Sequence, residues 1–327
     1  MDINQIAQMA GVSRATVSRY LNDGYVSQEK RAVIKRVIDQ TGYVPSRQAK
    51  TLRTGKTDVV GIIIPKINSA SVSRMVAGIT SVFNDTGFQI LLANTDNDAE
   101  REVGFLRLFT ERHQVDGVIL IGTVFTPEHL AAIKALRVPI VILDQSLPGY
   151  PCVHQDDYDA MRDVAEIAVA HAKAPGYIGV LEDDVAAGKM RHQAFLSICA
   201  DHGIEVPGDA QAIAAFTVDA GYACAERIIE THPETDALVC ASDSIAYGAL
   251  TYLREHGRRV PDDVQVTGVG DAEFSQLVTP RLTTVHHHYK TSGAEAAKML
   301  LGLMTGSDTV PREIKMGYEI VERDSTR

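Results

Sequence analysis

Tryptophan is absent from these 327 residues, and the four cysteines stand singly, far apart in the chain. Isolated cysteines predict small buried side chains in a reducing compartment such as the cytoplasm, not a disulfide framework. No stretch approaches the roughly 18 consecutive apolar residues that a membrane span needs, and the polar start does not resemble a secretion signal. These absences argue against a membrane protein and against an exported receptor.

Signatures of cofactor and metal binding are also missing. Gly55-Lys56-Thr57 and Gly268-Val269-Gly270 resemble parts of phosphate- and dinucleotide-binding loops, but each lacks the remaining glycine of its motif. On a strand, the side chains of His286 and His288 point away from that of His287, so these three do not suit a metal ion. We predict no cofactor, no metal and no enzymatic activity.

Charge is divided unevenly along the chain. Residues 1–57 contain ten Lys and Arg and four acids, a net charge of +6, whereas the whole chain has a net charge of −10. Residues 58–327 therefore have a net charge of −16. A basic segment joined to an acidic body is typical of a module that binds a polyanion while the body stays off it.

Residues 2–22, DINQIAQMAGVSRATVSRYLN, have the pattern of a helix-turn-helix. Apolar residues recur at helical spacing, Asp2 and Gln5 are placed to form a capping box, and Gly11 allows a tight turn. Ser13 is a candidate cap for the second helix. The outer side of that helix is short and polar except for one arginine, as a helix that enters the major groove requires. An ordinary two-helix hairpin with a solvated face is the alternative interpretation.

A third helical pattern follows, with a cap at Ser27 and an end at residues 41–43. We therefore predict a three-helix head at residues 1–45, too small for a large core but able to fold by itself. Residues 46–57, SRQAKTLRTGKT, are basic and poor in apolar side chains. They predict a hinge or linker that becomes helical when DNA neutralises its charge.

From residue 58 on, short apolar runs alternate with helical stretches. The runs are at residues 59–65, 88–95, 115–122, 139–145, 176–183, 236–243, 264–271 and 282–288. Continuous apolar strands separated by helices indicate parallel sheets that are covered on both faces. A body of this length with two such series predicts two doubly wound α/β subdomains with a ligand between them.

Polar residues follow several of these strands. Asp144, Asp243 and Asp271 come at or next to the ends of apolar runs. Each of them either caps the next helix or contributes to a ligand site. As a set they suit a sugar, because carboxylates accept hydrogen bonds from hydroxyl groups.

The chain resembles the lactose/galactose repressor family. AGVSRATVSRYLN at residues 10–22 is similar to the family's helix-turn-helix signature, and YVPSRQA at residues 43–49 is similar to its passage into the hinge. The resemblance extends through the body. It implies a homodimeric cytoplasmic repressor of a carbohydrate operon, with a body of the periplasmic-binding-protein type. Such a repressor binds a pseudo-palindromic operator and is controlled by a small effector.

The resemblance also assigns residues. DNA contacts are implied at Ser13, Arg14, Ala15, Thr16, Ser18, Arg19, Asn22, Tyr43, Arg47, Ala49 and Leu52. Of these, Arg14 and Ala15 face base edges, and Leu52 inserts into the minor groove at the operator centre. Effector contacts are implied at Lys66, Asn68, Ser69, Asp144, Arg191, Phe216, Asp243, Asp271, His287 and Tyr289.

Details of the body resemble particular branches of the family. Residues 187–195 are similar to trehalose-type regulators and residues 283–293 to the sucrose type, whereas Gly270-Asp271 stands where many relatives have Asp-Asp. Lys66 lies near the position at which trehalose-type relatives hold a sugar phosphate with a basic residue. The expected effector is therefore a disaccharide or its 6-phosphate.

The family also implies the division of the body, residues 58–327. The chain is expected to cross between subdomains near residues 157, 283 and 320. The first subdomain then comprises residues 58–157 and 284–320, and the second comprises 158–283 and 321–327. Two alternatives remain: a sugar receptor without a regulatory role, and a purine-type or global catabolite-type regulator whose ligand is a co-repressor.

Overall fold

The computed structural model describes residues 1–43, 55–111, 114–308 and 310–327. Internal contacts divide the chain into two compact units, a head at Met1–Asp58 and a body at Val59–Arg327. Most of the predicted hinge lies outside the described residues. The DNA contacts predicted at Arg47, Ala49 and Leu52 lie there too.

The head contains three helices, as its sequence pattern predicts. They are α1 (Ile3–Met9), α2 (Arg14–Leu21) and α3 (Gln28–Thr41). The capping box at the start of α1 is confirmed, since the Asp2 carboxylate accepts hydrogen bonds from the Asn4 and Gln5 amides while the Gln5 side chain accepts one from the Asp2 amide. Ile6, Val17 and Ile34 are fully buried where the three helices meet.

Most of the other turns and helix caps predicted for the head are confirmed. Gly11, in the turn, has φ +63°, a conformation that glycine adopts without strain. Ser13 caps α2 by accepting a hydrogen bond from the Thr16 amide, and Gly42 ends α3 in a left-handed conformation. The prediction for Ser27 was wrong in one respect. It occupies the N-cap position of α3, but its hydroxyl makes no capping hydrogen bond.

The body contains two six-stranded sheets. The first comprises β1 (Val59–Ile64), β2 (Gln89–Asn94), β3 (Gly117–Ile121), β4 (Ile140–Leu143), β5 (Cys152–Gln155) and β11 (Glu313–Met316), in the spatial order β11-β5-β4-β3-β1-β2. All its neighbouring strands are parallel. Alternate residues of its central strands enter two different apolar cores, one on each face, as a doubly wound sheet requires.

The second sheet is parallel except at one edge. It comprises β6 (Pro175–Gly179), β7 (Gln211–Ile213), β8 (Ala237–Cys240), β9 (Gln265–Val269), β10 (Thr283–His287) and β12 (Tyr318–Val321), in the order β12-β10-β9-β8-β6-β7. Strand β12 runs antiparallel to β10. Each of the eight apolar runs in the sequence contains one strand of the body. The four strands β5, β7, β11 and β12 were not predicted.

Eight α-helices cover the sheets of the body in the described residues. They are α4 (Ala70–Phe83), α5 (Ala99–Glu111), α6 (Pro127–Ala135), α7 (Asp157–Val169), α8 (Arg191–Asp201), α9 (Val218–Thr231), α10 (Asp243–Glu255) and α11 (Tyr289–Thr305). A π-helical turn, Val185–Met190, leads directly into α8. Cys152, Cys199 and Cys240 are buried, Cys224 is half-buried, and all four are free thiols, as their spacing predicts.

The chain passes between the sheets three times. The passages lie between β5 and α7, between β10 and α11, and between β11 and β12. The first agrees with the crossing expected near residue 157. The other two correct the expectation, because residues 284–287 and 318–320 are paired within the second sheet. The crossings therefore fall near residues 288 and 317, not 283 and 320.

Candidate nucleic-acid interface and ligand site

Helix α2 has one buried side and one open side. Val17 is fully buried, whereas Arg14, Ala15 and Arg19 are exposed. Ser18 and Thr16 are half-buried, and Asn22 is exposed just after the helix. The open side therefore presents short side chains and two arginines, a surface that fits a major groove.

Local hydrogen bonds set the ends of this helix. The hydroxyl groups of Ser13 and Thr16 lie 2.9 Å apart, and the Asn22 amide donates to the Ser18 carbonyl. The side chain of Tyr43 is half-buried and packs against the core of the head. Its contact with DNA stays a prediction.

The carboxyl ends of the two sheets face each other across the body. Gln145, which follows β4 in the first sheet, donates to Oδ1 of Asp184, which follows β6 in the second sheet, at 2.9 Å. Arg74 in α4 donates to the carbonyls of Gly270 and Asp271, which follow β9. We call the region between these two strand-end edges the cleft. Clefts of this kind are where open α/β sheets bind ligands.

A buried ion pair lies in the cleft. Arg191, the first residue of α8, donates to Oδ1 of Asp157 through Nε at 2.8 Å and through Nη2, and to the Ala241 carbonyl through Nη1. Both side chains of the pair are less than 10% exposed. Burial alone works to raise the pKa of Asp157, but Arg191 outweighs it and holds that pKa below its ordinary value.

The turn before α8 explains how Arg191 reaches this position. Asp184 caps the π-helical turn by accepting from the Ala187 amide at 3.1 Å. Gly188 lies directly over the Leu181 carbonyl, where a β-carbon has no room. Because π-helical turns are uncommon and cluster at functional sites, this one supports the assignment of a site here.

Three further predicted residues lie near this pair. Asp144 is half-buried, and burial, reinforced by the charge of Asp157, raises its pKa to about 7. His287 is buried, with Nε2 3.8 Å from Oδ1 of Asp157, and burial lowers its pKa to about 4. Neither ring nitrogen of His287 has a hydrogen-bond partner in the described residues. The ring of Tyr289 lies 5.5 Å from that of His287 and 5.0 Å from the Arg74 guanidinium.

Asp243 is a buried residue whose carboxylate is occupied internally. It accepts hydrogen bonds from the Ala272 amide at 2.7 Å, from the Ser275 hydroxyl at 2.8 Å and from the Thr284 hydroxyl at 2.5 Å. These bonds join the start of α10 to β10 and to the segment after β9. Asp243 therefore has a structural role, since it holds together the elements of the second sheet that border the cleft.

Asp271 is similarly engaged. Its two oxygens accept from Arg323 at 2.7 Å and pair with His286 at 2.8 Å. Although burial works to raise the pKa of Asp271, these two partners keep it below its ordinary value. The residue therefore connects the segment after β9 to the end of the second sheet.

The other predicted effector residues lie at the edges of the cleft. Lys66 is half-buried and Asn68 is exposed after β1, while the Ser69 hydroxyl caps α4. Phe216, after β7, is 40% exposed. None of these four makes a contact with Arg191 or Asp144 in the hydrogen bonds and ring contacts of the described residues.

Sequence reasoning missed four residues of the cleft: Arg74, Gln145, Asp157 and Asp184. Asp157 follows β5, whose four residues CVHQ include two polar ones, so no apolar run revealed the strand. Asp184 lies just beyond a run that was predicted to end at residue 183, whereas β6 ends at Gly179. The signal for both was the same one that identified Asp144, a carboxylate soon after a strand.

Asp144 predicts a pH dependence of stability. Its pKa is raised from about 3.9 in the unfolded chain to about 7 in the folded protein, so folding takes up a proton in this range. The stabilisation from this group is complete below about pH 4 and is lost as pH rises through about 7. We expect Asp144→Asn to gain stability relative to the wild type over that interval, as thermal unfolding at several pH values will measure.

Asparagine is the right replacement for this test because Asp144 has φ +74°, a conformation that Asn tolerates. Asp183→Asn, which changes an exposed neighbour of the cleft, is the control. If the difference in stability between wild type and Asp144→Asn stayed constant from about pH 4 to 7, it would contradict the raised pKa of Asp144.

No helix in the described part of the chain is both long and apolar enough to cross a membrane. Two family models match the sequence: "Bacterial regulatory proteins, lacI family" at residues 2–46, and "Periplasmic binding protein-like domain" at residues 164–326.

Similar proteins match over nearly the full length. The trehalose regulator TreR of Escherichia coli is 31% identical over 309 residues, 94% of each chain. The sucrose operon repressor of Staphylococcus xylosus is 29% identical over 300 residues, 91% of this chain and 92% of the relative. Among solved structures, a complex of the transcriptional regulator CelR with cellobiose superimposes with a TM-score of 0.74, at 28% identity and 99% coverage of both chains.

Proposed function

This chain belongs to the lacI family of bacterial regulatory proteins, and from that membership we propose that it represses a carbohydrate-utilisation operon from the cytoplasm. Members of the family are transcription regulators and not enzymes. The head binds operator DNA, and a small sugar or sugar phosphate bound in the cleft controls that binding. The observation that best supports this proposal is the open side of α2 in a head joined to a two-sheet body.

The protein acts as a homodimer in this proposal. Two heads bind the two halves of a pseudo-palindromic operator, so that the symmetry of the DNA matches that of the protein. The segment at residues 46–57, with Leu52 at its centre, contacts the minor groove. The acidic body, with its net charge of −16 outside residues 1–57, stays off the phosphate backbone.

Allosteric control follows from the contacts across the cleft. Gln145–Asp184 and the bonds from Arg74 to the segment after β9 join the two sheets. A ligand between these groups changes the relative position of the sheets. Coupling of about 1–3 kcal/mol between two sites changes affinity roughly 5- to 150-fold, which is enough for a switch.

The function is tested by selecting an operator from a random DNA pool and measuring its affinity with and without sugars. We expect sugar to weaken operator binding within that range. Tighter binding with ligand would overturn induction and favour the co-repressed type of regulator. Absence of sequence-specific DNA binding would favour the receptor alternative.

Arg14 is the residue of the head for which we expect the largest loss of specific binding. Its exposed guanidinium stands at the start of α2, where it can reach base edges. We expect Arg14→Ala to weaken specific operator binding by about 1–3 kcal/mol, measured by fluorescence anisotropy at fixed salt. The control is Arg137→Ala, which removes the same charge from an exposed position in the body. Equal losses in both variants would mean that Arg14 acts only through net charge.

Strand β2 offers a surface for dimer formation. It is the edge strand of the first sheet, and Leu91 and Leu92 are 39% and 38% exposed. Successive side chains of a strand point to opposite faces, so apolar surface is open on both faces of this edge. Natural sheets generally protect such edges. A second copy of the chain packed here covers them.

Leu92→Lys tests this surface. We expect the variant to sediment as a monomer, or to dimerise much more weakly than the wild type, because a charged side chain opposes burial at a contact. Leu130→Lys changes a leucine of similar exposure (42%) on α6 and is the control. If both variants stay dimeric at the same concentration, the β2 edge is not the interface.

A further inference from the structure

Arg191, the buried cation of the cleft, already has a carboxylate partner. The Arg191 guanidinium makes its hydrogen bonds to the Asp157 carboxylate and to the Ala241 carbonyl, using Nε, Nη1 and Nη2. Its positive charge is balanced by a carboxylate that is equally buried. An anionic ligand that used the two remaining N–H groups of this arginine would place a second negative charge beside the buried Asp157, and like charges at one site repel each other.

Three other cations lie near the cleft, and Arg323 is already paired with Asp271. Arg74 donates to the carbonyls of Ala70, Gly270 and Asp271, and its guanidinium lies over the Tyr289 ring. Lys66 is half-buried at the edge, after β1, and forms no ion pair in the described residues. Of these four cations, only Lys66 has its charged group available.

Two carboxylates of the cleft, by contrast, have no cation within ion-pair distance in the described residues. They are Asp144 and Asp184. The charge of Arg191 works to lower the pKa of both, and Gln155 hydrogen-bonds to Asp144, but neither carboxylate has a paired cation of its own. Asp184 uses Oδ1 for the Gln145 and Ala187 donors, and its Oδ2 accepts no hydrogen bond from the described residues. Burial raises the pKa of both carboxyls.

The unused hydrogen-bonding capacity of this region therefore consists mainly of acceptors. Besides the two carboxylates, the buried Gln155 has no partner for Oε1, while its Nε2 donates to the Ser292 hydroxyl. His287, neutral at ordinary pH, offers one donor and one acceptor, both without partners in the described residues. These groups need donors, and a hydroxyl group can donate as well as accept. A phosphate dianion only accepts.

We propose that the effector is an uncharged polyhydroxylated ligand whose hydroxyls donate to Asp144 and Asp184, and that the cleft discriminates against the phosphorylated form of the same sugar. This inference rests on the proposed function and narrows the class of its ligand. In this proposal Lys66 does not bind a phosphate group, and its charge lies at the edge of the cleft. Phe216, which is 40% exposed, supplies an apolar face for a sugar ring.

The first test compares matched ligands by titration calorimetry on the full chain. The probes are trehalose and trehalose 6-phosphate, and sucrose and sucrose 6-phosphate. We expect the uncharged member of the pair that binds to have an affinity at least tenfold higher than its phosphate. Equal affinity, or tighter binding of the phosphate, would overturn the inference.

A second arm does not depend on the identity of the sugar. Inorganic phosphate should raise the melting temperature of the wild type no more than sodium chloride of equal ionic strength does. At about pH 8, where Asp144 is ionised, Asp144→Asn with Asp184→Asn should gain a phosphate-specific rise, because the two carboxylates that repel the anion are gone. Asp183→Asn, an exposed neighbour, should behave as the wild type. A phosphate-specific rise in the wild type that Lys66→Ala abolishes would overturn the inference.

Operator binding separates this inference from the proposed function. If a sugar and its phosphate bind equally and both weaken operator binding, the function stands and the preference for an uncharged ligand is wrong. If the uncharged sugar binds at least tenfold more tightly but leaves operator affinity unchanged, the preference stands and the regulatory function is wrong.

Discussion

Asp157→Ala is expected to lower the free energy of unfolding by about 3–5 kcal/mol, because it leaves the buried Arg191 without its carboxylate. The pair joins the start of α7 to the start of α8, and the loss therefore acts on the body. Urea unfolding followed by circular dichroism measures the effect. Because Asp157 has a lowered pKa in the folded protein, its stabilisation is present above the unfolded value near 4 and is lost as pH falls below it.

Two comparisons make this expectation specific. Asp263→Ala breaks an ion pair with Arg259, whose side chain is 69% exposed, and we expect a smaller loss of stability than the one from Asp157→Ala. Asp157→Leu combined with Arg191→Met removes both charges and should recover most of the loss, since apolar residues often replace a buried pair without cost. If Asp157→Ala were as stable as Asp263→Ala, Arg191 would have to be compensated by a group other than Asp157.

The second large effect is expected from Gly293→Ala. Helices α4 and α11 cross so closely that a β-carbon on Gly293 would meet the Met75 carbonyl, and one on Gly78 would meet the Lys290 carbonyl. Backbone, unlike a flexible side chain, cannot move aside without shifting a whole helix. We expect a loss of about 2–3 kcal/mol from overpacking, measured by the same unfolding experiment.

Gly104→Ala is the matched control. Gly104 lies inside α5, where a β-carbon would meet no atom within 4 Å. There alanine should stabilise the protein by about 0.5–1 kcal/mol through its higher helix propensity. The two substitutions thus have opposite signs. Destabilisation by both, or by neither, would show that the close approach of α4 and α11 does not limit the fold.

Gly293→Ala also bears on the effector site. Helix α11 begins at Tyr289, two residues after His287, the last residue of β10. A shift of α11 that relieves the collision therefore displaces two residues of the cleft. We expect weaker sugar binding to accompany the loss of stability, whereas Gly104→Ala should leave sugar binding unchanged.

The sequence predicted the parts of the fold that have a strong periodic signal. In the head, the predicted three helices and the predicted caps at Asp2 and Ser13 are confirmed. Of the eight predicted strands, all but the edge strand β2 are largely buried runs such as VVGIII. The strands that escaped prediction, such as β5 with CVHQ and β11 with EIKM, are four residues long or shorter and contain polar residues. Their place is fixed by pairing with a neighbour distant in sequence, which a local pattern does not record.

Only some of the residues that line the cleft were predicted from the sequence, for a related physical reason. Asp144 was found because it comes at the end of a clear apolar run, and Arg191 was assigned through the family resemblance. The pairing of Arg191 with Asp157 brings together two residues that are 34 positions apart in the sequence, which no spacing rule reveals. The sequence left Asp243 as either a helix cap or a ligand group, and in the folded body three internal hydrogen bonds occupy its carboxylate. Hydrogen-bond occupancy is a property of the folded body and distinguishes binding groups from bracing groups.

The late position of β11 and β12 has a consequence for synthesis of the protein on the ribosome. Each of these strands completes one sheet, and the buried Ser325 and Thr326 pack beyond them. Neither half of the body can therefore finish folding until residues 313–326 have left the exit tunnel. The head needs only residues 1–43 for its three helices and core. A nascent chain thus has a folded DNA-binding head well before it has a finished receptor for its effector.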